Sequence, residues 1–155
     1  MFPKLAEIGL DGSPRTKKDG PFLRELSAGV YTTMSEKMRG YSQSETEDMN
    51  MLRYKTFIVF LALWENKKGV ETPIFLSIAN NWYENKGKSN KHKKLTYDKG
   101  EYTQLIRKMA PDDFISVTDY FADQSTRGWI EALYDVTDQH LQPTSEAVQE
   151  ALKNE

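Results

Sequence analysis

The densest run of apolar positions lies between Tyr54 and Trp64 (YKTFIVFLALW), rich in aromatic and β-branched side chains and lacking a polar stripe. A run of that kind predicts a central strand covered on both faces. Glu65-Asn66-Lys67-Lys68-Gly69 then supplies a hairpin loop, and Thr72 to Tyr83 (TPIFLSIANNWY) a second strand. On that strand a period of two puts Ile74, Leu76 and Ile78 on an apolar row and Phe75, Ser77, Ala79, Asn81 and Tyr83 on a mixed, half-wet row. Residues 84–94 (ENKGKSNKHKK) hold no apolar side chain and read as a basic hairpin tip, followed by a short strand, Leu95-Thr96-Tyr97. Asp98-Lys99-Gly100-Glu101 fits an Asp-x-x-Glu cap, and Tyr102, Leu105, Ile106 and Met109 at i, i+3, i+4 and i+7 predict an amphipathic helix stopped before Pro111.

The flanks carry weaker patterns. Consecutive turn signals, Asp11-Gly12-Ser13-Pro14 and Asp19-Gly20-Pro21, make residues 1–27 an irregular arm, with residues 28–155 as one domain. Val30-Tyr31-Thr32-Thr33 reads as a short strand, and 35–50 as a loop or weak helix. Phe114 to Phe121 and Trp129 to Val136 fit either period; Thr144 to Lys153, after Pro143, fits a helix. The expected fold class is α+β, a curved antiparallel sheet with one or two packed helices.

The chain has 155 residues and no cysteine, which excludes disulfide scaffolds, Cys-ligated metal sites and thiol nucleophiles. Its longest apolar run is too short to span a bilayer, and the first residues lack the pattern of a secretory signal, so a cytoplasmic protein with no membrane partner is expected. The formal charge of -2 hides an asymmetry that changes the picture. Arg53 to Lys108 carries twelve basic against five acidic residues, whereas the segment from Met109 onward carries ten acidic against two basic. A basic region 53–110 beside an acidic region 111–155 points to a polyanion for the middle of the chain.

The candidate contacts follow from that asymmetry. Lys86, Lys88, Lys91, Lys93 and Lys94 crowd one predicted loop, Lys67 and Lys68 sit in the predicted turn, and Lys55 lies on the first strand. Spaced cations follow phosphates and gain from counterion release, a term that needs no base sequence. Aromatic residues interleave with them, and single-strand binders combine ring platforms with a basic groove. Phe75 and Tyr83, on the mixed row, are the candidate exposed rings, whereas Trp64 and Trp82 are equally well placed as core.

Lys94-Leu95-Thr96-Tyr97-Asp98 leading into Glu101-Tyr102-Thr103-Gln104-Leu105-Ile106, after the Asn-Lys-Lys-Gly turn and the basic loop, resembles the repeat of the Whirly, Pur and positive-cofactor class of single-stranded DNA-binding proteins. The resemblance spans residues 53–110. It implies curved strands ending in a helix-initiating turn, dimers or larger homo-oligomers, and a nucleic-acid groove on the sheet contacted by Lys55, Lys67, Lys68, Phe75, Tyr83, Lys88, Lys93 and Lys94.

No nucleophile elbow, phosphate-binding glycine loop, dinucleotide fingerprint or His-Glu-x-x-His occurs, and the two histidines are isolated. The expected function is therefore non-catalytic binding of single-stranded DNA or RNA, without a cofactor. Two rivals stand beside it. One is a protein-interaction adaptor or inhibitor, of the kind viruses encode, that uses an acidic C-terminal surface and a sheet edge. The other is a metal-dependent nuclease using carboxylates such as Asp112 and Asp119. A Lys88, Lys93, Lys94 triple alanine variant is expected to keep its fold and to lose several-fold affinity for oligo-dT, read by fluorescence anisotropy; unchanged affinity removes the basic loop from the mechanism.

Overall fold

In a computed structural model, which describes residues 5–16, 18–38, 47–85, 95–97 and 102–141, the apolar run of the sequence turns out to be mostly helical. Helix α2 spans Glu47–Ala62, and the chain passes directly into strand β3, Leu63–Lys67. The expected strand over 54–64 is thus corrected. Every residue from Phe57 to Trp64 is buried, so no face is left to show a period. A helix that is apolar all round belongs in the middle of a core, and an unbroken apolar run looks the same from sequence in either conformation.

The second expected strand, 72–83, is corrected too. Only β4, Val70–Pro73, is extended, and α3, Ile74–Asn85, begins immediately after Pro73. Phe75 and Ala79, one turn apart, are buried, while Ser77 and Asn81 point to solvent, which is helical spacing read earlier as alternation. Val30 to Thr33 lies within α1, Ala28–Met38, not in a strand. Ser27 caps this helix by accepting the Val30 backbone N–H at 3.1 Å. The hydroxyls of Thr32 and Thr33 donate back to the Gly29 carbonyl at 3.1 and 2.8 Å, which lets buried threonines stay in the helix.

The sheet is antiparallel and open, in the order β1 (Glu7–Ile8), β2 (Gly20–Arg24), β3, β4. Two of its strands come from the segment expected to be an irregular arm. The register pairs Glu7 with Arg24, Phe22 with Trp64, Asn66 with Glu71 and Lys67 with Val70. Directly paired residues share a face, so Glu7, Phe22, Arg24, Trp64, Asn66 and Glu71 all lie on one side of the sheet. Leu23 and Leu63, on the other side, join the core.

The β3–β4 turn is built on Lys68 (φ 55°) and Gly69 (φ 85°), the two left-handed residues that a tight hairpin of matching twist requires. Asn66 holds it, its carboxamide oxygen accepting the Gly69 N–H at 2.9 Å. In such a hairpin the pair flanking the turn exchanges both ladder bonds, and pairs then alternate. Pro73 therefore falls at a position whose N–H would face outward, and its missing donor blunts the outer edge against strand addition.

The helices form the other layer, larger than the one or two expected. The described part of the predicted helix at 98–109 is α4, Tyr102–Arg107, with Tyr102, Leu105 and Ile106 buried. Met109, the fourth predicted position, is buried as well. Lys37 caps the end of α4, its ammonium donating to the carbonyls of Arg107 and Met109 at 3.3 and 2.8 Å. Of the two ambiguous segments, one is α5, Pro111–Asp123, opened by its proline, and the other α6, Arg127–His140, capped by Thr126, which accepts from the Trp129 N–H. The expected helix at 144–153 lies outside the described residues. Among the described residues no helix is long and apolar enough to cross a membrane.

Stacked rings knit α2 to α3 and α5: Phe57 lies 5.3 Å from Phe114, Phe60 lies 4.6 Å from Phe121, and Phe75 lies 5.2 Å from Phe60. Phe75→Ala is expected to cost about 3–5 kcal/mol in urea unfolding, the range for a buried phenylalanine. A loss below about 1 kcal/mol would mean that the ring sits at the surface after all.

Candidate functional site

The expected contact residues do not gather into one trough. Lys55 belongs to α2 on the side of α6, with its ammonium 5.3 Å from the centroid of the Tyr134 ring. Lys67 and Lys68 stand exposed at the β3–β4 turn. Phe75 is wholly inside the core, between Phe60, Phe114 and Tyr102, and cannot stack a base while the domain is folded. Tyr83 is half-buried and donates its hydroxyl to Asp113 at 3.1 Å; burial, followed by the charge of Asp113, pushes its pKa up to about 12. Lys86, Lys88, Lys91, Lys93 and Lys94 lie outside the described residues. The ring platform expected on the strand face is therefore corrected: the strand it required is a helix, and its principal ring faces inward.

What the fold assembles instead is a roof of charge over the aromatic row of the sheet. Glu7 and Glu71 each bridge Arg15 and Arg24. Arg15 donates to Glu7 at 3.1 Å and to Glu71 at 2.7 Å, and Arg24 to the same two carboxylates at 2.8 and 2.9 Å. Arg15 also donates to the Lys18 carbonyl at 2.7 Å. The two guanidinium planes lie on rings, Arg15 at 3.6 Å over Phe22 and Arg24 at 3.9 Å over Trp64. Planar, weakly hydrated guanidinium makes this arrangement feasible, since it stacks through its face while its edge donates to carboxylates. The carboxyl of Glu71 is held below its ordinary value, chiefly by the hydrogen bond from Arg15, against a smaller opposing effect of burial.

Three recesses meet at Arg24. The first, of about 710 Å³, is lined by Pro14, Arg15, Lys18, Arg24, Asn66 and Glu71. The second, of about 410 Å³, runs past Trp64, Val70, Thr72 and Tyr97. The third, of about 320 Å³, is apolar and more enclosed, with Leu26, Val30, Leu61, Trp64, Tyr97 and Tyr102 in its wall and Glu25 beside them. Burial alone raises the pKa of Glu25, whose carboxyl has no hydrogen-bond or ion-pair partner among the described residues. Tyr97 is placed by its neighbour: the Asn80 side chain pairs with the Leu95 peptide in both directions, at 3.0 and 2.8 Å.

The strand register decides which cations share a surface. Gly20 pairs with Asn66, so the chain entering β2, with Lys18, runs beside the turn that carries Lys67 and Lys68. Arg15, Lys18, Arg24, Glu7, Glu71 and Glu25 were all missed as site residues. They are spread over some 65 positions with no local period, and only the pairing of β1, β2, β3 and β4 brings them together. Among the described residues no three histidine or carboxylate side chains are grouped as a metal site.

The two glutamates should respond to pH in opposite senses. Glu71, with its pKa lowered, contributes stability that is present above the ordinary glutamate value of 4.5 and lost as the pH falls through its own lower value. Glu25, with its pKa raised, contributes stability present below 4.5 and lost as the pH rises through its own higher value. In melting temperature against pH, Glu71→Gln is expected to flatten the acid limb and to lower the neutral plateau, and Glu25→Gln to leave the plateau equal or higher. An acid limb unchanged in Glu71→Gln would show that the arginine–glutamate roof contributes nothing to stability. Compared with known proteins, the chain matches no family model, no curated protein and no solved structure.

Proposed function

We propose that this chain is a non-catalytic binding protein that holds single-stranded nucleic acid by its phosphates at the Lys18, Lys67 and Lys68 end of the sheet. The observation that carries the proposal is the register of β2 on β3, which runs the segment of Lys18, a wall residue of the 710 Å³ recess, alongside the turn that carries Lys67 and Lys68. Arg15 is committed to Glu7 and Glu71 and adds little free charge. Among the described residues Lys67 pairs with Glu65, at 3.7 Å and largely exposed, a surface pair that a phosphate displaces at small cost. The sequence runs from the lysine-rich segment 86–94 straight into Leu95–Tyr97, which Asn80 anchors beside the second recess.

With Phe75 sealed and Phe22 roofed by Arg15, the described residues at the lysine end of the sheet offer little ring surface for stacking, and sequence-independent charge has to supply the affinity. A flexible strand can bring successive phosphates to cations on a turn and on a recess wall, whereas a duplex stiff over tens of base pairs cannot bend to do so. The adaptor reading is weakened at the β4 edge by Pro73 and is left with the two-residue edge strand β1 and the acidic helices α5 and α6.

The test is anisotropy with oligo-dT over a salt series. Each phosphate neutralised on a single strand contributes a slope of about -0.7 in log K against log salt, so three lysines contribute about -2. Lys18→Ala/Lys67→Ala/Lys68→Asn is expected to lose several-fold affinity and a slope of about 2; asparagine is used at 68 because it tolerates the left-handed backbone there. Duplex of equal length is expected to bind more weakly. No binding of oligo-dT at low salt, or an unchanged slope in the variant, overturns the proposal.

A further inference from the structure

The apolar recess, which shares Leu5 and Arg24 with the recess that Lys18 lines, has a different chemistry, and we infer that it is a site for a small organic ammonium ion. The inference does not depend on the nucleic-acid reading, because the groups that make it are not the lysines of the sheet end. Trp64, Tyr97 and Tyr102 supply aromatic wall, with Tyr97 and Tyr102 set against Trp64 at 80° and 89°, 5.7 and 5.5 Å between centroids. Arg24 covers one face of Trp64 and the two tyrosines pack against it, so the half-buried Tyr97 ring is the principal aromatic surface left to a ligand, and a ring face attracts a cation through its quadrupole. The wall is preorganised. Tyr102 is fixed by its hydroxyl, which donates to the Leu61 carbonyl at 3.0 Å, and Tyr97 by the Asn80 clamp on Leu95.

The charges at the recess select the sign of the ligand. Two described wall residues are ionisable to full charge, Arg24 and Glu25. Arg24 is already answered by Glu7 and Glu71, and its guanidinium covers one face of Trp64. Glu25 is answered by nothing among the described residues, and its partial burial costs it hydration without return. The uncompensated charge of the wall is therefore negative. Among the described residues an anion would meet Glu25 with no uncommitted cation to offset it, and a purely apolar ligand would leave the carboxylate further desolvated. An alkylammonium with an apolar body satisfies both the carboxylate and the rings, and 320 Å³ accommodates a molecule at the lower end of the size range of ligand pockets.

The experiment uses the full chain labelled with ¹⁵N and follows the Trp64 indole N–H during titration with choline and, separately, with 3,3-dimethyl-1-butanol, its uncharged carbon isostere. The expected result is a saturating shift for choline in the millimolar range and affinity about tenfold weaker for the isostere. Glu25→Gln, with its fold checked by melting temperature, is expected to abolish that preference, and Tyr97→Leu to weaken choline several-fold. The lysine variant Lys18→Ala/Lys67→Ala/Lys68→Asn is expected to bind choline normally, so failure of one proposal is separable from failure of the other. Equal affinity for the two probes, no saturating shift at Trp64, or a preference that survives Glu25→Gln in a folded protein overturns the inference.

Discussion

The arginine–glutamate roof over Phe22 and Trp64 is the interaction on which the outer half of the structure depends. A four-stranded open sheet has two faces to cover, and on the outer one the described helices contribute Tyr102 of α4 against Trp64. The inner face, with Leu23 and Leu63, is buried against the helical layer. On the outer face Tyr97 and Tyr102 pack against Trp64, and two guanidiniums lie flat on Phe22 and Trp64 as well. Their charges are in turn bearable because two carboxylates bridge them, each accepting from both arginines. Isolated exposed ion pairs contribute little, but a closed and partly buried network seated on aromatic faces combines hydrogen bonding, Coulomb attraction and stacking in one geometry.

The same roof ties together segments that have few other reasons to associate. Glu7 comes from the two-residue strand β1, Arg15 from the connection after it, Arg24 from β2 and Glu71 from β4. A strand as short as β1 has almost no ladder of its own, so its place at the sheet edge rests on the side-chain network and on the Glu25 N–H bond to the Ala6 carbonyl at 2.8 Å. The roof also divides the surface. One recess has Lys18 in its wall; another has aromatic side chains and Glu25, whose carboxylate has no partner among the described residues. Opposite electrostatic characters a short distance apart are what allow one small sheet to offer two distinct recesses.

Much of the chemistry was legible in the sequence, and little of its geometry. The α+β class with an antiparallel sheet, a hairpin connection within residues 65–69 and the helix stripe Tyr102, Leu105, Ile106 and Met109 were readable because each rests on a local requirement: composition, turn-forming residues, or one amphipathic face; that the turn narrows to Lys68 and Gly69 was not. The helix at 54–62 was not, since a segment surrounded by protein on all sides carries no periodic signal and its β-branched residues favour a strand on propensity. Residues 74–83 misled for a related reason: Ile74, Leu76 and Ile78 are all half-buried on a crowded helix, and that partial burial imitates alternation.

The sequence by itself determined that the chain is cysteine-free, that its basic residues are concentrated in the middle, and that tight turns punctuate residues 11–21 and 66–69. These are properties of composition and of single backbone positions, and no partner is needed to express them. Tertiary structure alone decided which cations are neighbours, which rings are available, and that Glu7, Arg15, Arg24 and Glu71 close on one another. Those outcomes depend on strand pairing between residues as distant in the chain as Gly20 and Asn66, where a shift of one residue would send each side chain to the opposite face of the sheet.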